Sequence, residues 1–270
     1  MRKFKAVRAI FSARLSGYVL FLMLPVYLAG CAAKPIGPMI IEGEYINQGG
    51  AMPAAALPAP RLSVIHEVGP GETVWRIGKI YDVPHEDIIR VNRLDAKASL
   101  EIGQKLTIPN ARQGRKAVIP LYESTKWKYI VIHHSATSDG KALTFNKSHL
   151  KRGFSHGLGY HFVIDNGSQN KTDGFIEVSP RWLAQSDGAH CSADKMNYHG
   201  IGICLVGNFS EKGEKVTKEQ FESLVFLIKQ LQNQYNIPAE RVLGHGKVKG
   251  AQTECPGMFF PWGELQNRLK

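Results

Sequence analysis

Two hydrophobic periods alternate along the second half of the chain. Tyr129-Ile-Val-Ile132 is an unbroken apolar, β-prone run that ends in His133 and His134, the pattern of a strand buried on both faces. Gly200-Ile-Gly-Ile-Cys-Leu-Val206 predicts a second central strand, and Arg241-Val-Leu-Gly-His245 a third strand that also ends in histidine. Between them, Gly157–Ile164 predicts a turn and a strand. Asp165-Asn-Gly167 then turns the chain towards a pairing strand over Gly174–Val178. Helical spacing appears over Lys141–Arg152 and, most clearly, after Thr217. There Phe221, Leu224, Val225, Ile228 and Leu231 mark one buried face. Thr217 with Gln220 has the form of a capping box, Val216 with Phe221 that of a hydrophobic staple, and Asn236-Ile-Pro238 is the stop. A short helix over Trp262–Leu269 closes the chain. Strands alternating with helices over residues 128–270 predict an α/β domain, a mixed central sheet flanked by helices.

A smaller unit precedes it. Ile65-His-Glu-Val68 reads as a strand and Gly69-Pro-Gly71 as a turn. Thr73 is placed to cap a helix carrying Val74, Ile77 and Ile80. A second helix starts at Pro84, and Lys105-Leu-Thr-Ile-Pro109 is a closing strand. Strand, helix, helix, strand over residues 63–110 is a small α+β domain. Residues 31–62 are rich in Pro, Ala and Gly and residues 111–127 carry no sustained period, so both read as linkers.

Charge changes this picture mainly at the amino terminus. The 270-residue chain has a formal net charge of +11, and residues 1–30 contribute Arg2, Lys3, Lys5, Arg8 and Arg14 with no acid, leaving +6 for the remainder. A basic start followed by the apolar stretch Gly17–Leu28 fits an export signal over residues 1–30, being too short to span a bilayer comfortably. Leu28-Ala-Gly-Cys31 looks like a bacterial lipobox, which implies cleavage before Cys31, a lipid on its thiol and membrane attachment without spanning. Ala32 after the cysteine implies, by resemblance to Gram-negative lipoproteins, the periplasmic face of the outer membrane. A residual positive charge suits an anionic polymer. No basic helix interleaved with aromatics is present, so nucleic acid is not expected. The four cysteines, Cys31, Cys191, Cys204 and Cys255, form no CxxC pair; Cys191 and Cys204 could pair in an oxidising compartment, or Cys204 could be core.

The candidate chemistry sits at the strand ends. His133, His245 and Cys255 would give two neutral imidazoles and a thiolate, enough for one zinc ion with a fourth position left for water. The same residues are also compatible with a Cys–His nucleophilic pair. His134 follows on the strand and is expected to point the other way, as His161 does after Tyr160.

Two resemblances narrow these alternatives. Val68-Gly-Pro-Gly-Glu-Thr-Val-Trp75, Asn92-Arg-Leu94 and Ile102-Gly-Gln-Lys-Leu-Thr-Ile-Pro109 resemble the LysM family, which implies binding to N-acetylglucosamine-containing glycans such as peptidoglycan. Joined by linkers, such a module would raise the effective concentration of substrate. The second resemblance is carried by Ile130–Ala136, Gly159–Ile164, Gly188-Ala-His190, Gly200–Phe209, Leu243-Gly-His245 and Thr253-Glu-Cys-Pro-Gly257. These stretches resemble the zinc amidases of the peptidoglycan-recognition-protein superfamily, which includes phage amidase lysozymes. The resemblance implies a monomeric hydrolase of the bond between N-acetylmuramic acid and L-alanine, with one zinc per chain on His133, His245 and Cys255. It further implies that Tyr160 and Thr253 assist catalysis and that His190 lies by the substrate cleft, with packing of its own loop as the other reading of that histidine. Thr253 stands where phage members carry lysine and animal catalytic members threonine. The alternative is a lipoprotein that binds or senses peptidoglycan without cutting it.

Overall fold

The computed structural model describes residues 38–44, 61–95, 99–112, 116–211 and 214–270. The export signal, Cys31 and most of the first linker lie outside them. In chain order the elements are β1 (Met39–Glu44), β2 (Leu62–Glu67), α1 (Val74–Tyr81), α2 (His85–Asn92), β3 (Lys105–Ala111), β4 (Lys116–Leu121), β5 (Tyr129–His134), α3 (Ala142–Lys151), β6 (Phe162–Ile164), β7 (Ile176–Val178), α4 (Pro180–Leu183), α5 (Met196–His199), β8 (Gly200–Leu205), α6 (Lys218–Tyr235), β9 (Val242–Gly244) and α7 (Trp262–Leu269).

The main sheet has the order β7-β6-β8-β5-β9. Its inner pairs β6–β8, β8–β5 and β5–β9 are parallel, and only β6–β7 is antiparallel. Parallel strands covered on both faces need continuous apolar sequence. β8 is accordingly buried at every position and β5 from Ile130 to His133. α6 covers one face with Phe221, Leu224, Val225, Leu227, Ile228 and Leu231. Its start is fixed as expected: Thr217 Oγ1 accepts from Gln220 N at 3.0 Å and Gln220 Oε1 from Thr217 N at 3.3 Å. The Gln220 amide then donates to the carbonyls of Ile164 and Val206, tying the helix to the ends of β6 and β8.

In the small domain β2 and β3 pair antiparallel, and Thr73 caps α1 by accepting from Arg76 N at 3.2 Å. Val68, Ile77, Ile80, Tyr81, Ile88, Leu106 and Ile108 form its core.

The two segments read as linkers are corrected by the structure. Each contributes a strand, and β1 pairs antiparallel with β4. Along β4, side chains alternate between two cores, as a pleated strand requires. Ala117, Ile119 and Leu121 enter the core of the large domain, whereas Val118 joins that of the small one. Phe175, just before β7, also enters the small domain's core. Polar contacts reinforce this: Arg76 Nε donates to the Val118 carbonyl at 3.2 Å, and Lys141 Nζ meets Glu67 Oε2 at 2.6 Å. Lys171 and Glu177 form a buried ion pair at 2.6 Å, and the Glu72 carboxylate of the small domain also stabilises the Lys171 charge. The small domain is therefore docked on the large one through a shared core, not suspended from a flexible connector.

Candidate metal centre

Strand register brings the two histidines together. Ile132 of β5 lies beside Gly244 of β9 in a parallel pair, so the next residue of each strand, His133 and His245, emerges at the same carboxyl edge of the sheet. That edge is where open α/β sheets place their ligands. The imidazole centroids are 4.7 Å apart. Cys255 arrives on the loop before α7, held by a hydrogen bond from Gly246 N to its carbonyl at 2.8 Å. Gly257, at φ 104°, lets the loop close on Phe209, because a Cβ there would lie 2.3 Å from Phe209 backbone.

One ligand atom from each of His133, His245 and Cys255 lies within 4.8 Å of the others. Cys255 Sγ is 3.8 Å from His133 Nδ1. Zinc bonds of about 2.0–2.1 Å to nitrogen and about 2.3 Å to sulfur in a tetrahedron put such atoms about 3.6 Å apart, so the donor set fits a zinc ion. The electrostatics agree. Burial drives His133 well below the ordinary imidazole value, with neighbouring imidazoles adding to it, and burial lowers His245 too, so both rings are neutral donors. Burial pushes the Cys255 thiol up to about 11, with the His134 N–H opposing that rise. A neutral thiol beside neutral imidazoles is a poor nucleophile at neutral pH, whereas a cation enforces the thiolate.

Around this trio, the Tyr160 ring lies 5.2 Å from that of His133, and burial raises its hydroxyl well above the ordinary tyrosine value, keeping it a donor. Thr253 is exposed, and its Oγ1 accepts from Cys255 N at 3.2 Å. His134 turns away and accepts from Phe209 N at 3.1 Å. His161 also faces inward, accepting from Gly202 N at 2.9 Å. His190, expected at the substrate, is buried behind His133 with both ring nitrogens engaged within the protein. Cys191 and Cys204 are free thiols in separate clusters, so they form no disulfide. Sequence reasoning gave His149 no role. Its Nδ1 accepts from Gly159 N at 2.9 Å and its ring packs on Tyr160, bracing the turn that delivers the tyrosine.

Comparison with known proteins follows the same division. The family described as N-acetylmuramoyl-L-alanine amidase matches residues 123–258, and the LysM domain matches residues 66–109. The chain is 32% identical over 133 residues to the endolysin of Escherichia phage T7, covering 47% of this chain and 78% of that protein. With the endolysin of Enterobacteria phage T3 it shares 33% identity over 112 residues, covering 39% and 67%. The solved N-acetylmuramoyl-L-alanine amidase LysC from Clostridium intestinale URNW is 34% identical, covering 54% of this chain and 88% of that one, with a TM-score of 0.44.

Proposed function

The chain belongs to the N-acetylmuramoyl-L-alanine amidase family, and from that premise we propose that His133, His245 and Cys255 hold one zinc ion at its active centre. The protein is a peptidoglycan amidase: it cleaves the bond between N-acetylmuramic acid and the L-alanine of the stem peptide, and its LysM domain binds peptidoglycan. The observation that carries the zinc reading is the convergence of two neutral imidazoles and one thiol from distant parts of the chain. An ion held there supplies Lewis acidity, lowering the pKa of a water and polarising the scissile carbonyl.

The chain's own residues do the rest. Cys255 contributes its sulfur as thiolate and His133 its Nδ1. Tyr160, kept protonated by burial, donates its hydroxyl to the oxygen that gains charge as the carbonyl is attacked. Thr253, whose Oγ1 accepts from Cys255 N, offers its own O–H to the same oxygen from the rim of the site. At the other end of the chain, Cys31 carries lipid, holding the enzyme at the periplasmic face of the outer membrane; the lipobox-like Leu28-Ala-Gly-Cys31 supports this.

Chelation is expected to abolish release of stem peptides from purified sacculi, with zinc restoring it. Cys255→Ala is expected to lose both the metal and the activity. A chelated, metal-free protein that cleaves at the full rate would refute the zinc reading. Tyr160→Phe is expected to keep its zinc and lose on the order of 100-fold in kcat; an unchanged kcat on defined muropeptides would remove Tyr160 from the mechanism.

A further inference from the structure

We propose that His190 is a positioning residue that fixes which nitrogen of His133 is free to bind the metal, by relaying the polarity of one backbone carbonyl through two imidazoles. The inference builds on the zinc reading above.

The relay starts at β8. His190 Nε2 lies 3.1 Å from the Gly200 carbonyl oxygen. A carbonyl only accepts, so Nε2 carries the hydrogen. The His190 ring is buried with no carboxylate among its hydrogen bonds, so it is neutral and its Nδ1 holds a lone pair. That Nδ1 faces His133 Nε2 at 3.1 Å. His133 must therefore donate from Nε2, since the opposite choice would set two lone pairs against each other. A neutral His133 protonated at Nε2 has its lone pair on Nδ1, the atom 3.8 Å from Cys255 Sγ. The carbonyl of Gly200 thus aims the correct nitrogen at the ligand cluster.

The relay has a built seat. A Cβ on Gly202 would lie 2.4 Å from His190 Cδ2, and one on Gly188 would lie 2.3 Å from the same atom. These two glycines leave a slot that the imidazole fills. Asn197 fixes the backbone there: its Oδ1 accepts from His190 N at 2.7 Å and Cys191 N at 2.8 Å, and its carbonyl accepts from Gly188 N at 2.8 Å. With both ring nitrogens committed, His190 has none left for substrate. An outer partner that sets the tautomer and orientation of a ligating histidine is worth 10–100-fold in metal affinity.

The test uses the full chain with His190→Leu, His190→Gln and Gly202→Ala. Glutamine can accept from His133 with Oε1 and donate to Gly200 with its amide, so it restores both bonds; leucine restores neither. Zinc affinity is read by competition with a chromophoric chelator. The expected result is about 10–100-fold weaker binding for His190→Leu and Gly202→Ala, with His190→Gln within about threefold of wild type. In the metal-free wild type, ring ¹⁵N NMR is expected to find the His133 proton on Nε2, with the Nδ1-protonated form appearing in His190→Leu. The inference is overturned if His190→Leu binds zinc as tightly as wild type, if His190→Gln is as weak as His190→Leu, or if metal-free wild type carries the His133 proton on Nδ1. That last measurement needs neither metal nor a folded variant. A wild-type chain that takes up no zinc would count against the zinc reading, while the ring measurement would still decide this one.

Discussion

The acidity of Cys255 is set by its surroundings. Burial raises its thiol to about 11, against roughly 8.5 for a free cysteine. In the metal-free protein, alkylation of Cys255 by iodoacetamide is therefore expected to be slow at pH 7 and to keep rising towards pH 11. A rate that levels off near pH 8.5 would mean that the sulfur is solvated. The convergence of His133, His245 and Cys255 was legible because each stands at the end of a β-prone run or in a Cys-Pro-Gly turn, where side chains are presented to a cleft. A packing role for His190 was one of two readings, but what its ring packs against was not legible. Its partners are a ring from β5 and a carbonyl from β8, and neither neighbours it in sequence. The one trace is Gly200-Ile-Gly202, since glycine inside a buried strand marks a close approach by another group.

At the level of elements, α6 is the clearest case of sequence dictating structure. Its apolar face, capping box and Asn236 stop were all readable, because a long helix carries its own signals. Thr217 Oγ1 also donates to Asp173 Oδ1 at 2.7 Å, so this hydroxyl serves two partners. Thr217→Ala is expected to cost about 1–2 kcal/mol, read as a lower urea midpoint at unchanged slope. A midpoint that does not move would show that the cap contributes nothing. The ribbon of β1 and β4 was misread for the opposite reason. Its six-residue strands lie in segments of mixed or Pro/Ala-rich composition, and each is stabilised by a partner more than seventy residues away. The run Ala117–Leu121 did hold the clue, in an alternation whose two faces are both buried.

Across the whole molecule, the shared core predicts joint unfolding. Phe175→Ala removes a ring from the LysM core although it belongs to the amidase domain, and is expected to cost about 3–5 kcal/mol. Calorimetry should find one transition at a lower temperature; separate melting of the two domains would contradict the shared core. Acid should loosen the same junction. Burial alone would raise Glu72, but the His66 imidazole at 2.7 Å and Lys171 outweigh it and hold the carboxylate far below its ordinary value. A carboxylate depressed on folding stabilises above its unfolded pKa of about 4.3, and that stability drains away as pH falls further. Glu72→Gln is expected to flatten the loss of stability below pH 4.5, measured by urea titration at successive pH values.

The ribbon has a consequence for how the enzyme meets the wall. A grip on a flexible leash would sample many cut sites, and its advantage would fade gradually with distance. Here grip and blade share a packed core, so packing and not the length of a leash sets their spacing, like the jaws of a caliper. The benefit of being held is then expected to fall most on glycans whose spacing matches the jaws, which turnover on glycan fragments of graded length would read.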